Sequence, residues 1–333
     1  MTVWMIRSGR HGEREPFDAE NHIASIGWEE LTDLSSVQTK QNLDEALQNA
    51  YPDKTKSQRA NNISQLWAFI KEMKKGDWVL RPSKIKSVIW IGKISGDYQY
   101  NPEFPIGYRH TRPVEWLKEI PRNQFDADIL YSLTAQSTIC RIKRENIEQR
   151  IQHLLSGTQI PSPQPEGDTS EDILDIEEYS LDLIRQFIEQ KFKGHKLAHL
   201  VAAILEAEGF HCSVSPEGPD GGVDILAGYG LMGFDSPKLV VQVKSGNTPV
   251  DTKTVNELQG VMKSSNADRG IIVSWSGYKS SVNKLSTQHF FDLRLWDSND
   301  LLEALFATYD KLPDNWQAEI PLKRIWVPVQ PEE

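Results

Sequence analysis

Three side chains in the last third of the chain carry chemistry that could break a phosphodiester: Asp224, Gln242 and Lys244. Asp224 stands in the apolar run V-D-I-L (223–226), where an ionised carboxylate is costly unless it pairs or binds a metal. Gln242 and Lys244 are two apart in V-V-Q-V-K (240–244), so the period-2 rule of a strand puts both on one face. With the two segments on neighbouring strands, joined by the glycine-containing loop 228–237, one face collects an acid, an amide and an amine. The acid and the amide oxygen, helped by the backbone carbonyl of Val243, are hard oxygen donors suited to Mg²⁺, with Mn²⁺ as an alternative. Such an ion polarises a phosphate and activates a water. Lys244 would then orient that water or stabilise charge building on the phosphoryl oxygens. Each piece alone is ordinary, since a lone Q-x-K commonly marks a solvated strand face and a lone G-x-D a turn. Their order and their flanking elements give them weight together.

Those flanking elements are readable. L-D-L-I-R-Q-F-I-E-Q-K-F (181–192) and A-H-L-V-A-A-I-L-E-A-E-G (198–209) have helical spacing, the second ending on a glycine stop. Strands follow at 211–215, 222–227 and 238–244, then a helix at 250–263, a strand at 270–275, a further helix, a strand at 293–297 and a closing helix. The order predicts a mixed sheet with helices packed around it.

P-D-G-G-V-D-I-L (219–226) and V-Q-V-K (241–244), preceded by that helix, resemble the Mrr subfamily of PD-(D/E)xK nucleases over about residues 195–310. The resemblance implies a restriction-endonuclease-like fold, with Asp224 as the metal-binding acid, Gln242 as the second ligand in place of the commoner glutamate, and Lys244 as the catalytic lysine. It departs in one place: many members carry a glutamate on the preceding helix, where this chain has Ala198 in L-A-H-L-V. Asp220 is then the candidate accessory acid. His199 reads as a helix-surface or satisfied core histidine and Asp235 as a loop cap. Lys253, Asn256 and Gln259, on the helix after the catalytic strand, could face a DNA backbone or simply water.

The other half reads differently. Six of the ten tryptophans lie in residues 1–155, and such rings either fill a core or make platforms on which a base stacks. I-A-S-I-G-W (23–28), Q-L-W-A-F (65–69), K-K-G-D-W-V-L (74–80), I-G-K-I-S-G-D-Y (91–98) and H-T-R-P-V-E-W (110–116) resemble PUA-like domains of the EVE type. That resemblance implies a small α+β barrel able to hold a modified base in an aromatic pocket. Trp28, Trp67 and Trp90 are the pocket candidates, with Trp78 and Trp116 assigned to the core. Arg7, Arg10, Arg109 and Arg112 could hold phosphate or pair with nearby carboxylates.

Charge and composition bound the whole. The net charge of −10 is uneven: residues 1–155 carry +2, and residues 156–190 carry −8. The acidic surplus therefore sits largely in a Pro/Gly-rich connector and does not exclude a nucleic-acid partner. Two domains are expected, 1–155 as a reader of DNA or modified bases and 175–333 as the endonuclease, joined by a linker over 156–174. No apolar run approaches the length of a membrane span, and the amino terminus lacks a signal-peptide core, so a cytoplasmic protein with no membrane partner is expected. Cys140 and Cys212 offer neither a disulfide framework nor a zinc cluster. Together these features predict a Mg²⁺-dependent, type IV-like restriction and phage-defence endonuclease that cuts modified DNA, as a homodimer where both strands are cut. The alternatives are a nucleic-acid-binding module of weak or lost activity, and a defence effector released by a nucleotide signal.

Overall fold

The computed structural model describes residues 1–157, 175–218, 222–279, 281–282, 285 and 289–327. It divides into two compact units, built on Met1–Tyr179 and Ser180–Val329. The linker expected over 156–174 lies, from residue 158 on, outside the described residues.

In the first unit β1 (Val3–Ile6), β2 (Ile23–Ile26), β3 (Trp78–Pro82), β4 (Val88–Ile94), β5 (Gln99–Tyr100), β6 (His110–Pro121) and β7 (Ile139–Arg141) form one sheet. Its order is β2-β6-β4-β3-β1-β7, with β5 added on β6. The barrel expected from the sequence is a curled half-barrel. Helices α1 (Glu15–Glu20), α2 (Lys40–Ala50), α3 (Lys56–Trp67, continuing as a π-helical turn over Ala68–Glu72), α4 (Ala127–Leu133) and α5 (Ile147–Ser156) pack on it. α3 begins on a polar stretch, K-S-Q-R (56–59), and what starts it is a capping box between Thr55 and Gln58.

Alternation along each strand feeds two apolar layers. Val3 and Met5 join Trp78, Leu80, Ile89 and Ile91 against α4 and α5, while Trp4 and Ile6 join Val79, Val114 and the leucines of α2 and α3. By the same period Arg81, at the end of β3, falls on the Val79 side.

α6 (Ile176–Lys191) starts in the first unit and runs on into the second, which also contains α7 (His195–Ala207), β8 (His211–Val214), β9 (Ile225–Tyr229), β10 (Asp235–Lys244), α8 (Thr252–Ser264), β11 (Arg269–Ser274), β12 (Leu293–Trp296), α9 (Ser298–Thr308) and α10 (Asp314–Glu319). The sheet order is β12-β11-β10-β9-β8. β8, β9 and β10 form an antiparallel meander, and β10, β11 and β12 run parallel. This is the mixed, helix-flanked sheet expected. The helix expected between β11 and β12 falls partly outside the described residues. Leu239, Val241, Ile271 and Val273 bury one face against α7 and α9. Val240 and Ile272 bury the other against Val255, Leu258 and Met262 of α8. Both faces of β10 are therefore covered, which is why its sequence reads as a continuous apolar run until Gln242.

Candidate active site

β10 supplies the centre of the site. Its odd residues face the α7 layer, so its even residues, Val240, Gln242 and Lys244, share the opposite face. Gln242 is 3 % exposed, and its Oε1 has no hydrogen-bond partner among the described residues. A buried, unsatisfied amide oxygen costs about 1–3 kcal/mol. Lys244, at the open end of the strand, is half-buried.

Asp224 reaches the same place from β9, with one correction to the sequence reading. It lies immediately before the strand, which begins at Ile225. The last bonds of the ladder are irregular there: the Asp224 N–H donates to Val241 O at 3.0 Å, and the Asp224 carboxylate accepts from the Val243 N–H at 2.8 Å. A side chain thus replaces the next backbone partner, which sets the carboxylate on β10 at the residue between Gln242 and Lys244. The carbonyl of Val243 leaves its strand on the same edge as that amide.

Gly222 is a part of the site that sequence reasoning did not single out. Its φ is +89°, and a Cβ there would sit 3.3 Å from Gln242 Nε2, so glycine both permits the turn and leaves room for the amide. The G-x-D spacing was the available signal. The amino end of α7 was missed too: the Gly194 N–H donates to Ser245 Oγ at 3.0 Å, beside Lys244. His195 and His199 lie one helical turn apart there, ring centres 4.8 Å from each other.

The fit to a divalent cation rests on donor type. Asp224, Gln242 Oε1 and the Val243 carbonyl are oxygen donors of the kind Mg²⁺ takes, and the orphaned amide oxygen lacks what a cation would provide. Among the described residues no group of three or more His, Cys, Asp or Glu side chains could hold a metal, so this donor set has one carboxylate. Asp220 lies outside the described residues. Ala198 is 1 % exposed inside the apolar layer, so the helix position offers a core methyl and no ligand.

The remaining candidates scatter. Lys253 and Asn256 are exposed and Gln259 half-buried on α8, and Lys253 lies 3.7 Å from Glu257 in a solvated i,i+4 pair. Trp28 is 7 % exposed and packed in the core, so it has little surface to offer a base. Its φ of 60° is uncommon for a bulky residue. Trp67 is half-buried at the edge of the same layer, with Lys40 Nζ 5.9 Å from its ring. Trp90 is half-buried over Arg81, and Trp116, read as core, is half-buried beside it. Arg112 donates to Phe69 O and Gly96 O inside the first unit and is not placed to hold phosphate. Burial, with Glu206 nearby, pushes the Cys212 thiol up to about 12, which leaves it inert.

A mixed, helix-flanked sheet that sets an acid beside a Q-x-K strand defines a nuclease-like class, and comparison with known proteins narrows it. Residues 189–305 match the family model Mrr_cat, described as restriction endonuclease. Residues 4–143 match a domain of unknown function, DUF8426. The second unit therefore carries an Mrr-type restriction endonuclease domain. Among solved structures, the DNA modification-dependent restriction endonuclease AspBHI is 15% identical, with 81% of this chain and 75% of that one covered and a TM-score of 0.33. The MspJI restriction endonuclease in complex with a 27-mer oligonucleotide is 12% identical, with 80% and 68% covered and a TM-score of 0.33. A protein of unknown function, AF1548, is 16% identical, with 32% of this chain covered and a TM-score of 0.26; this chain spans 64% of its length. No curated protein matches.

Proposed function

We propose that the chain is a Mg²⁺-dependent DNA endonuclease of the modification-dependent restriction type, in which residues 175–333 cut DNA that residues 1–155 inspect. The observation that carries the cutting reading is the buried Gln242 Oε1, without a hydrogen-bond partner among the described residues, on a strand that holds the Asp224 carboxylate at its Val243 amide and ends in Lys244. Asp224, Gln242 and the Val243 carbonyl would hold the ion, which when bound supplies a polarised phosphate and an activated water. Lys244 sits past the ligands on the same strand face, where its ammonium can hold the attacking water or the non-bridging phosphoryl oxygens as charge develops. The apolar layers on both faces of β10 keep the strand rigid and hold these groups in register. Lys253, Asn256 and Gln259 are the proposed backbone contacts, and cutting both strands with one site per chain calls for a homodimer.

The test is digestion of matched plasmids with and without cytosine modification, in Mg²⁺ and in EDTA. Cleavage of the modified plasmid alone, lost in EDTA, is expected; cleavage that persists in EDTA would remove the metal from the reading. A second reading, a DNA-binding domain of weak activity, is favoured by the single carboxylate among the described site residues. Calorimetric titration with Mg²⁺ separates the two, because the weak module would bind no ion at millimolar concentration.

A further inference from the structure

Arg81 is fully buried at the end of β3, and its Nε, Nη1 and Nη2 all lack hydrogen-bond partners among the described residues. A buried guanidinium normally spends its five donors, because an unpaired buried charge is expensive. Asp18 Oδ2 stands 3.8 Å from Nη1, yet both lone pairs of that oxygen are already used. Oδ2 takes the Ser8 hydroxyl at 2.8 Å and the Ser25 N–H at 3.2 Å, and Oδ1 takes the Ser25 hydroxyl at 2.5 Å. Asp18 therefore supplies countercharge without hydrogen bonds. Burial pushes the Asp18 carboxyl up and the Arg81 guanidinium down, as expected for a pair held apart from solvent.

Two indoles enclose the guanidinium. Its carbon lies 4.2 Å from the Trp116 ring centre and 4.9 Å from that of Trp90, and the rings meet edge to face at 6.0 Å. The register across three strands sets Arg81 beside Trp90 and Trp90 beside Glu119. Gly92 makes the arrangement possible: a Cβ there would come within 2.8 Å of Trp116 Cε3. Trp116 is further pinned by its indole N–H, which donates to Ile23 O at 3.2 Å. The half-buried Trp90 indole makes no side-chain hydrogen bond among the described residues and is the ring free to yield.

We infer that Arg81, Trp90 and Trp116 form a base-reading pocket, in which a flipped-out nucleobase displaces the Trp90 ring, stacks on indole and presents carbonyl or ring-nitrogen acceptors to Arg81. This rests on the reading that the first unit inspects DNA, and it names the group that does so. Paired indoles select a planar aromatic ligand, and unspent guanidinium donors select one rich in acceptors. A phosphate fits less well, because Asp18, Glu15 and Glu119 already surround the guanidinium with carboxylates.

Full-length protein and its Arg81→Met and Arg81→Lys variants are titrated by fluorescence anisotropy, in EDTA, with four duplexes. One is unmodified, and the others carry a single 5-methylcytosine, 5-hydroxymethylcytosine or N6-methyladenine. Melting temperatures are read on the same samples. The wild type is expected to prefer one modified duplex, and both variants to lose that preference by about ten-fold or more. Arg81→Met should melt lower than wild type, since it leaves the buried Asp18 carboxylate without its countercharge and removes two cation–π contacts, so its binding is read on samples well below their melting temperature. Should Arg81→Met misfold, Arg81→Lys carries the test: lost preference at wild-type melting supports the pocket, and retained preference overturns it. Lowered melting with preference intact makes Arg81 structural and overturns the pocket while the DNA-reading role stands. A wild type that binds all four duplexes alike removes that role and the pocket together. Inorganic phosphate that raises the melting temperature of wild type but not of Arg81→Met would mark an anion site and refute base reading.

Discussion

Gln242→Met offers a test in which the sign of the effect changes with metal. The replacement keeps the length and volume of the side chain but removes the buried Oε1, which has no partner among the described residues. Leaving such an acceptor unsatisfied costs about 1–3 kcal/mol, so without metal the variant should be more stable than wild type. For a unit of the size of Ser180–Val329, each 1 kcal/mol moves the melting temperature by about 2–4 °C, and an increase of a few degrees in EDTA is expected. Metal reverses the order. An ion held at a hundred times its dissociation constant stabilises the wild type by about 2.7 kcal/mol, and a variant lacking one of its oxygen ligands gains far less. Differential scanning calorimetry of the full chain, in EDTA and in saturating Mg²⁺, follows the transition of the second unit. A lower melting temperature for Gln242→Met in EDTA would refute the reasoning, because it would mean that the amide oxygen already has a partner and serves the fold. Equal Mg²⁺ stabilisation of both proteins would show that the ion binds elsewhere.

Lys244→Ala should abolish cleavage while leaving DNA affinity in EDTA within a few-fold, because the ammonium acts chiefly as charge develops; substantial residual cutting would remove it from the chemistry. In the first unit, burial opposes ionisation of Glu178, but Arg122, Lys84 and Arg7 outweigh it and hold the carboxyl down to about 2. A depressed carboxyl contributes stability above its unfolded pKa, near 4.5, and loses it as pH falls toward 2. The unit should therefore lose about 3 kcal/mol across that window. Glu178→Gln should flatten this pH dependence in urea melts, and an unchanged slope would count against the network. Deleting residues 1–165 should leave a folded nuclease without target preference, seen as equal digestion of modified and unmodified plasmid; retained preference would place recognition in the second unit. Trp28→Ala should cost about 3–5 kcal/mol of stability with no selective loss of binding, as for a core indole, and a selective loss of affinity at wild-type melting would return it to a pocket.

Local order along the chain carried a good deal of this protein. Alternation in V-V-Q-V-K is enough to place Gln242 and Lys244 on one strand face, since side-chain direction in a strand depends only on parity. The order of helices and strands is likewise enough for a mixed, helix-flanked sheet. Parity says nothing of what lies across the strand. That Asp224 stops short of β9 and turns its carboxylate onto the Val243 amide, and that Gln242 Oε1 has no partner among the described residues, depend on where β9 ends against β10. The tryptophans show the same division. Their abundance is visible in the chain, but whether a ring fills a core or encloses a cation depends on strands far apart in sequence. Trp28 is buried among α2 and α3, whereas Trp90 and Trp116 meet around Arg81 because β3, β4 and β6 are neighbours and Gly92 leaves room between them. Strand parity is a local property of the backbone and survives in one dimension; pairing between distant strands exists only once the chain has closed its loops.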